Sequence, residues 1–388
     1  MDVGELRGRK LAIIGAETMA RNYALQAREL GVESHVFAWE KGAVARKAAD
    51  VFHPISIFET DRIVETCRAV GVEGVVATTE LTVAVAATVA DRLGLVGVRP
   101  EIAVRLTDKY LNREAAKGVP NLCQPRYALV HSPEELIASG LSFPLVLKPV
   151  AEGGKRGVTV VRNEAESEAA VEYAADESKR GYEIIAEEFV ADGTECSVES
   201  LSYRGEHRVI QVTEKISSGP PHCVELGHIQ PARISAGERR LVETAVPALL
   251  TALGYDNGPC HTEVKLVGGK LYLIEVNTRP GGDFITWPLV SLSTGYDLLK
   301  GAIGIAFDRF EFPSDGDFRP CPAGVCFVTE QTRALEPLFR VCRDRPWCHW
   351  KNDVGPVSEL RHNNSFGTNC FIWKSETGLP SEIREALS

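Results

Sequence analysis

Two carboxylates, an amide and a guanidinium cluster late in the chain, in His261-Thr-Glu263 and then Leu273-Ile-Glu275-Val-Asn277-Thr-Arg279. Hard cations such as Mg2+ prefer oxygen ligands, and they take one or two carboxylates together with substrate phosphates. Side chains alternate along a strand, so Glu275 and Asn277 share a face. Their neighbours Leu273, Ile274 and Val276 are apolar, and a carboxylate in such a strand must be paired or ligated. The competing structural reading is a salt-bridged sheet with Lys265 or Arg279 as partner. A metal site here demands a particular hairpin register. A three-residue turn, Gly268-Gly269-Lys270, pairs Val267 with Leu271, Lys265 with Leu273 and Glu263 with Glu275. It leaves Val264, Leu266, Tyr272, Ile274 and Val276 on the opposite, apolar face. A two-residue turn at Gly268-Gly269 would set Glu263 against Ile274 and put the two acids on opposite faces.

A second stretch could handle phosphate. Lys148 ends an apolar strand expected over residues 143–149, and Glu152-Gly153-Gly154-Lys155-Arg156-Gly157 follows. Adjacent glycines let backbone N–H groups close over phosphates, and the two basic residues add charge. The string is not a P-loop, and alone it reads as a hairpin turn. A third stretch, Glu187-Glu188-Phe189-Val190 followed by Gly193-Thr-Glu195, is a strand ending in acids. By itself it reads as a solvated loop.

These residues need elements to hold them. The first hundred residues alternate apolar runs with helical patterns. KLAIIG, SHVFAW and GVEGVVAT read as strands, with helices over 19–30 and in LTVAVAATVADRLG, an alternation that makes a parallel sheet covered on both faces. After Gly15 the sequence is AETMA rather than x-G-x-x-G, so this lobe is expected to bind no dinucleotide. The text changes after a break near residues 95–107. Strands over 143–149, in VTVV and in YEIIAEEFV, with a helix over 165–178, suggest a small α+β lobe. Longer strands, a helix over 238–253 and the hairpin follow. The tail beyond about residue 310 reads as irregular, ending in one strand candidate, CFIWK.

The chain of 388 residues is long enough for two to four lobes. Its net charge of −10 argues against non-specific nucleic-acid binding. No apolar run reaches the length of a membrane helix, and no signal-peptide pattern is seen, so a cytoplasmic protein is expected. The ten cysteines contain no Cys-x-x-Cys pair and read as free thiols rather than as a disulfide or zinc framework.

Taken in order, Asp108-Lys109 with Arg113, Lys148 with its glycine-rich loop, EEFV with Gly-Thr-Glu, Glu263, and Glu275-x-Asn277-x-Arg279 resemble the ATP-grasp superfamily over most of the chain. The stretch from His222 through Glu225 and His228 to Pro231, with Asn277-Thr-Arg-Pro-Gly-Gly-Asp283, is similar to the branch containing L-amino-acid ligases. The resemblance implies an α/β ATP-grasp fold. Its parts are a Rossmann-like pre-ATP-grasp domain (1–107), a small α+β lid lobe (108–187), a central α+β lobe with the metal site (188–309) and a C-terminal extension (310–388). It implies that Lys109 and Lys148 contact ATP phosphates and that Glu152, Gly153, Gly154, Lys155 and Gly157 form the closing loop. Glu187, Glu188, Phe189 and Val190 line the adenine, and Glu195 holds the ribose. Glu263, Glu275 and Asn277 bind one or two Mg2+ ions, with Mn2+ as a substitute. Arg279 and Lys215 are the catalytic pair, and Glu225, His228, Arg279, Gly281 and Gly282 contact substrate. The implied activity is a carboxylate–amine ligation through an acyl phosphate on small molecules, amino acids among them, without nucleic acid or membrane and with a homodimer as the candidate assembly. Two alternatives stand beside it: a purine-pathway or carboxylase-like relative activating formate or bicarbonate, and a non-catalytic ATP-binding sensor or scaffold.

Overall fold

Four parallel strands open the chain, in spatial order Val51–His53, Glu33–Phe37, Lys10–Ile14 and Gly74–Ala77. The computed structural model describes residues 3–153, 156–178, 180–219, 223–359 and 365–387. Helix Thr18–Glu29 starts at Glu17, whose carboxylate accepts from the Ala20 N–H. The alternation of strand and helix is as expected, with the added short strand Val51–His53 and the helix Thr60–Val70. The order in which strands are added reverses between Lys10–Ile14 and Gly74–Ala77, which run parallel, and a crevice opens there beyond the carboxyl ends of the strands. Glu17 and Glu80 follow directly on those two strand ends.

A second, smaller sheet within residues 108–188 has four strands, in the order Tyr127–Val130, Ile184–Glu188, Leu145–Pro149 and Thr159–Val161, backed by helix Ser167–Asp176. Val171, Ala174, Leu145, Leu147 and Ile184 form its core. Ile184–Glu188 runs through residue 187, and Leu122–Cys123 leaves this segment to pair with Lys270–Asn277 of the larger sheet.

That larger sheet has nine strands. Their order is Cys348–Asn352, Cys370–Lys374, Ala323–Phe327, Glu225–Gln230, Glu206–Ser217, Thr194–Tyr203, Gly258–Val267, Lys270–Asn277 and Leu122–Cys123. Helix Ala236–Leu253, begun by a Ser235–Glu238 capping box, lays Val242, Val246, Leu249 and Leu253 on it. Each such buried side chain contributes about 1.5–3 kcal/mol of transfer free energy. The tail is not irregular. It supplies three strands of this sheet, which their short length and the long connections between them obscure in the sequence. Helix Leu298–Ala306 packs on helix Thr18–Glu29 and fuses the first domain's core to the rest.

The hairpin corrects one expectation and keeps its consequence. Its turn has two residues, Gly268 and Gly269, both at positive φ, and Val267 pairs with Lys270 rather than Leu271. Lys265 pairs with Tyr272, not Leu273. A bulge then inserts Ile274, and Glu263 stands opposite Glu275 after all. The core face is Val264, Leu266, Leu271, Leu273 and Val276, while Tyr272 and Ile274 are only half-buried.

Candidate active site

The crevice of the first domain and the exposed face of the large sheet enclose a pocket of about 430 Å³. Glu17, Asn22 and Glu80 line it from one side, and Lys215, Glu225, His228, Glu263, Glu275, Asn277 and Arg279 from the other. Glu263 and Glu275 are cross-strand partners, and Asn277 is paired with His261 two residues along. Among the described residues no three His, Cys, Asp or Glu side chains converge as a metal cage. Two carboxylates and an amide fit a cation that keeps water and phosphate oxygens as its other ligands. The protein's own cations stand where that charge would sit. The Lys109 ammonium is 3.1 Å from Glu275 and the Lys215 ammonium 2.9 Å from Glu263.

Lys215 is the most heavily engaged of these. It also reaches Glu225 at 2.9 Å and Glu195 at 3.1 Å. Burial favours the neutral amine, but the three carboxylates outweigh it and raise its pKa well above the ordinary value. One ammonium therefore joins the three acids that the resemblance assigned to ribose, substrate and metal.

Arg279 points across to the first domain. Its Nε donates to Glu80 at 2.9 Å, and a second nitrogen is bonded to the same carboxylate. Burial pushes the Glu80 carboxyl up, and Arg279 more than offsets this, leaving it at about 2. Behind Arg279 lies a buried relay. Glu199, fully buried, is bonded to His261 Nδ1 and accepts from the Gly281 N–H (3.1 Å) and the Thr286 hydroxyl (2.5 Å). The other ring nitrogen of His261 is 3.4 Å from Glu263. Burial opposes protonation of His261, but the Glu199 carboxylate prevails and lifts its pKa to about 9. A Cβ at Gly281 would lie 2.5 Å from that ring, so the position requires glycine. Gly282 has open space around it.

On the side of the smaller sheet, Lys148 does not stand alone. Its ammonium is 2.8 Å from Glu187, whose other oxygen takes the Arg113 Nε at 2.8 Å. Burial would raise the Glu187 pKa, and Arg113 and Lys148 bring it down to about 2. Glu188 faces the other way, accepting from Arg126 and from the Ser142 N–H. The Lys265 ammonium donates to the carbonyls of Val190 and Ala191 and lies over the Phe189 ring. Lys109 donates to the Glu152 carbonyl, and the Glu152 carboxylate is 3.4 Å from Arg156. Gly153 passes so close to Glu80 that a Cβ would lie 3.0 Å away. Gly157 has positive φ and abuts Pro149. Gly154 and Lys155 lie outside the described residues, as does His222.

His228 is fully buried beneath the pocket, edge-on to Phe327, and burial lowers its pKa. Neither ring nitrogen has a hydrogen-bond partner among the described residues. The residues that sequence reasoning did not single out are Glu80, Glu199 and the pairing role of His261. Glu80 had a readable signal: it follows the end of a parallel strand, where open α/β sheets place ligands. Glu199 had none, because nothing in Ser-Val-Glu-Ser distinguishes it from an outward-facing acid.

Residues 141–287 match the family model described as an ATP-grasp domain. A D-alanine–D-alanine ligase of Flavobacterium psychrophilum is 33% identical over 151 residues, 37% of this chain and 44% of that protein. The chain thus spans less than half the length of that relative. The crystal structure of an L-amino acid ligase from Bacillus licheniformis is 25% identical with a TM-score of 0.79, covering 98% of this chain and 96% of that one. The ADP complex of N5-carboxyaminoimidazole synthetase from Staphylococcus aureus has a TM-score of 0.77 at 14% identity, covering 98% and 96%. Residues 141–287 thus contain an ATP-grasp domain, and the chain shares the fold of an L-amino acid ligase over nearly its whole length.

Proposed function

We propose that this protein is an ATP-dependent ligase that joins a carboxylate to an amine, with amino acids as its substrates, and releases ADP and phosphate. The observation that carries the reading is the pairing of Lys109 with Glu275 and Lys215 with Glu263 at one wall of a pocket that also holds Arg279. Cations and acids are interleaved there, as a triphosphate and its counter-ions require. The whole-chain likeness to an L-amino acid ligase supports the choice of amino acids.

A carboxylate cannot acylate an amine directly, because oxide is not a leaving group. In the proposed reaction a substrate carboxylate oxygen attacks the γ-phosphorus of ATP and ADP departs. The amine nitrogen then attacks the acyl carbon and phosphate departs. Catalysis of such a transfer is mostly positioning and charge neutralisation. Lys148 and Lys109 hold phosphate oxygens, with Gly153 and Gly157 beside them. The Glu187 carboxylate is committed to Arg113 and Lys148, so it fixes the lysine and meets adenine only through its backbone, beside Phe189 and Val190. Glu195 takes the ribose hydroxyls. Glu263, Glu275 and Asn277 would hold Mg2+ or Mn2+, which would supply positive charge at the phosphates. Lys215, on the same wall beside Glu263, would offer its ammonium to phosphate. Arg279 holds the substrate carboxylate and the charge that develops on its oxygen.

The test is ADP release measured over a matrix of acids and amines, with product mass confirming the new bond. Amino-acid pairs that give stoichiometric ADP and a dehydrated product support the reading. ADP release with bicarbonate or formate but not with amino acids would replace it with the carboxylase-like or purine-pathway alternative.

A further inference from the structure

The pocket has a second character beyond its charged wall. Past Gly282 the chain turns through two consecutive non-glycine residues at positive φ, Asp283 (49°) and Phe284 (67°). Left-handed backbone at such residues costs free energy and persists where the surroundings enforce it. The turn sets the Phe284 ring at the pocket, where Phe366 meets it with 4.5 Å between centroids, and Trp350 packs on Phe284 at 5.4 Å outside the pocket lining. Both partners come from the C-terminal segment whose strands complete the large sheet. Phe284 itself is buried, yet Phe366 and Trp350 each remain 39% exposed. Trp287 and Met19 extend the apolar lining toward the first domain. Large aromatic surface left uncovered beside a reaction centre is what an apolar ligand group would bury.

The neighbourhood also says what the apolar group is attached to. Phe284 is one ring from His228, through Phe327, and Asp283 and Glu225 are the acids that act on His228. Glu225 is held by Lys215, and the Asp283 carboxylate beside Phe284 in the lining suits a molecule with an ammonium next to an apolar side chain.

We propose that Phe284, Phe366 and Trp350 form an apolar subsite that takes the side chain of a leucine- or phenylalanine-sized amino-acid substrate, which makes the C-terminal segment a determinant of specificity. The inference rests on the ligase reading above and narrows its substrate class. It is tested by ADP release from a panel of alanine, serine, glutamate, leucine and phenylalanine in all pairs, with the wild type and Phe366→Ala. Phe366 is partly exposed, so the variant keeps its core, and circular dichroism verifies this. The expected result is a higher kcat/KM for leucine or phenylalanine than for alanine, with that ratio falling about tenfold in Phe366→Ala. A second readout is the intrinsic fluorescence of Trp350, expected to shift on addition of phenylalanine without ATP and to lose that shift in Trp350→Phe. Turnover of amino acids with no apolar preference, or a ratio unchanged by Phe366→Ala, would overturn the subsite and leave the ligase reading standing. ADP release with other acids but with no amino acid overturns both.

Discussion

Glu263 and Glu275 face each other across the hairpin because the strand carrying Glu275 holds one extra residue, Ile274, between that acid and the turn. A bulge takes backbone groups out of the ladder, and they need other partners. Arg113 provides them. Its two terminal nitrogens donate to the carbonyls of Leu273 (2.7 Å) and Ile274 (2.8 Å), while its Nε holds Glu187. One buried guanidinium thus ties strand Lys270–Asn277 to strand Ile184–Glu188 of the smaller sheet.

Arg113→Met is therefore expected to destabilise the fold by about 3–5 kcal/mol, the usual cost of leaving one member of a buried ion pair behind. Arg113→Lys should recover only part of the loss, because an ammonium cannot make the forked contact. Urea midpoints measure both, and equal stability of Arg113→Met and the wild type would remove the anchor role.

Lys148→Met should lower turnover by about 10²–10³-fold at saturating ATP, the scale of losing one preorganised charge in a transition state. Glu187 keeps Arg113 as its partner, so the variant should hold most of its melting temperature. Turnover that falls only in proportion to lost folded protein would show that Lys148 acts only by supporting the fold.

At acid pH the two low carboxyls govern stability. Glu80 and Glu187 both sit at about 2 in the folded protein, against an ordinary 4.5. Their contribution is complete above 4.5 and is lost as the pH falls from there toward 2. Melting temperature should decline over that window, and less steeply in Glu80→Gln. An identical acid limb in that variant argues against the Arg279–Glu80 tie.

The alkaline side has the opposite sign. His261 is raised to about 9 from 6.5, so its stabilisation is complete below 6.5 and drains away as the pH climbs through 9. Melting curves across that range should fall in the wild type and be flatter in His261→Asn. A slope unchanged by the substitution would mean that other groups titrate there.

Lys215→Met should lower the melting temperature in chelator-treated buffer, since three acids lose their common partner. Millimolar Mg2+ should recover more stability in this variant than in the wild type, because a divalent ion can replace the missing charge by mass action. Equal gains from Mg2+ in both proteins would argue that Lys215 and the metal do not share Glu263.

Much of this was legible in the residues. The strand–helix rhythm of the first domain follows from apolar periodicity, and the acids of the hairpin are conspicuous on apolar strands. The turn was misread for an instructive reason. Alternation counts residues, and a bulge breaks the count without any mark except a half-buried Ile274 between two core-like positions. The Glu80–Arg279 and Glu199–His261 pairs join residues 199 and 62 positions apart. No local pattern reports such distances. The tail was misjudged because its strands are short and its prolines frequent, although Cys370–Lys374 showed the right composition.

The position of Glu225–Gln230 in the large sheet bears on how the protein is made. One neighbour, Glu206–Ser217, precedes it closely in the chain, but the other, Ala323–Phe327, emerges from the ribosome much later. Until then the strand bearing Glu225 and His228 is an open sheet edge, with unpaired backbone that invites pairing with another chain. Pairing across so long a stretch of chain is also slow to form. The interval between synthesis of these two strands is when the nascent protein is most exposed to misassembly, and truncations ending inside it should aggregate rather than yield a smaller folded enzyme.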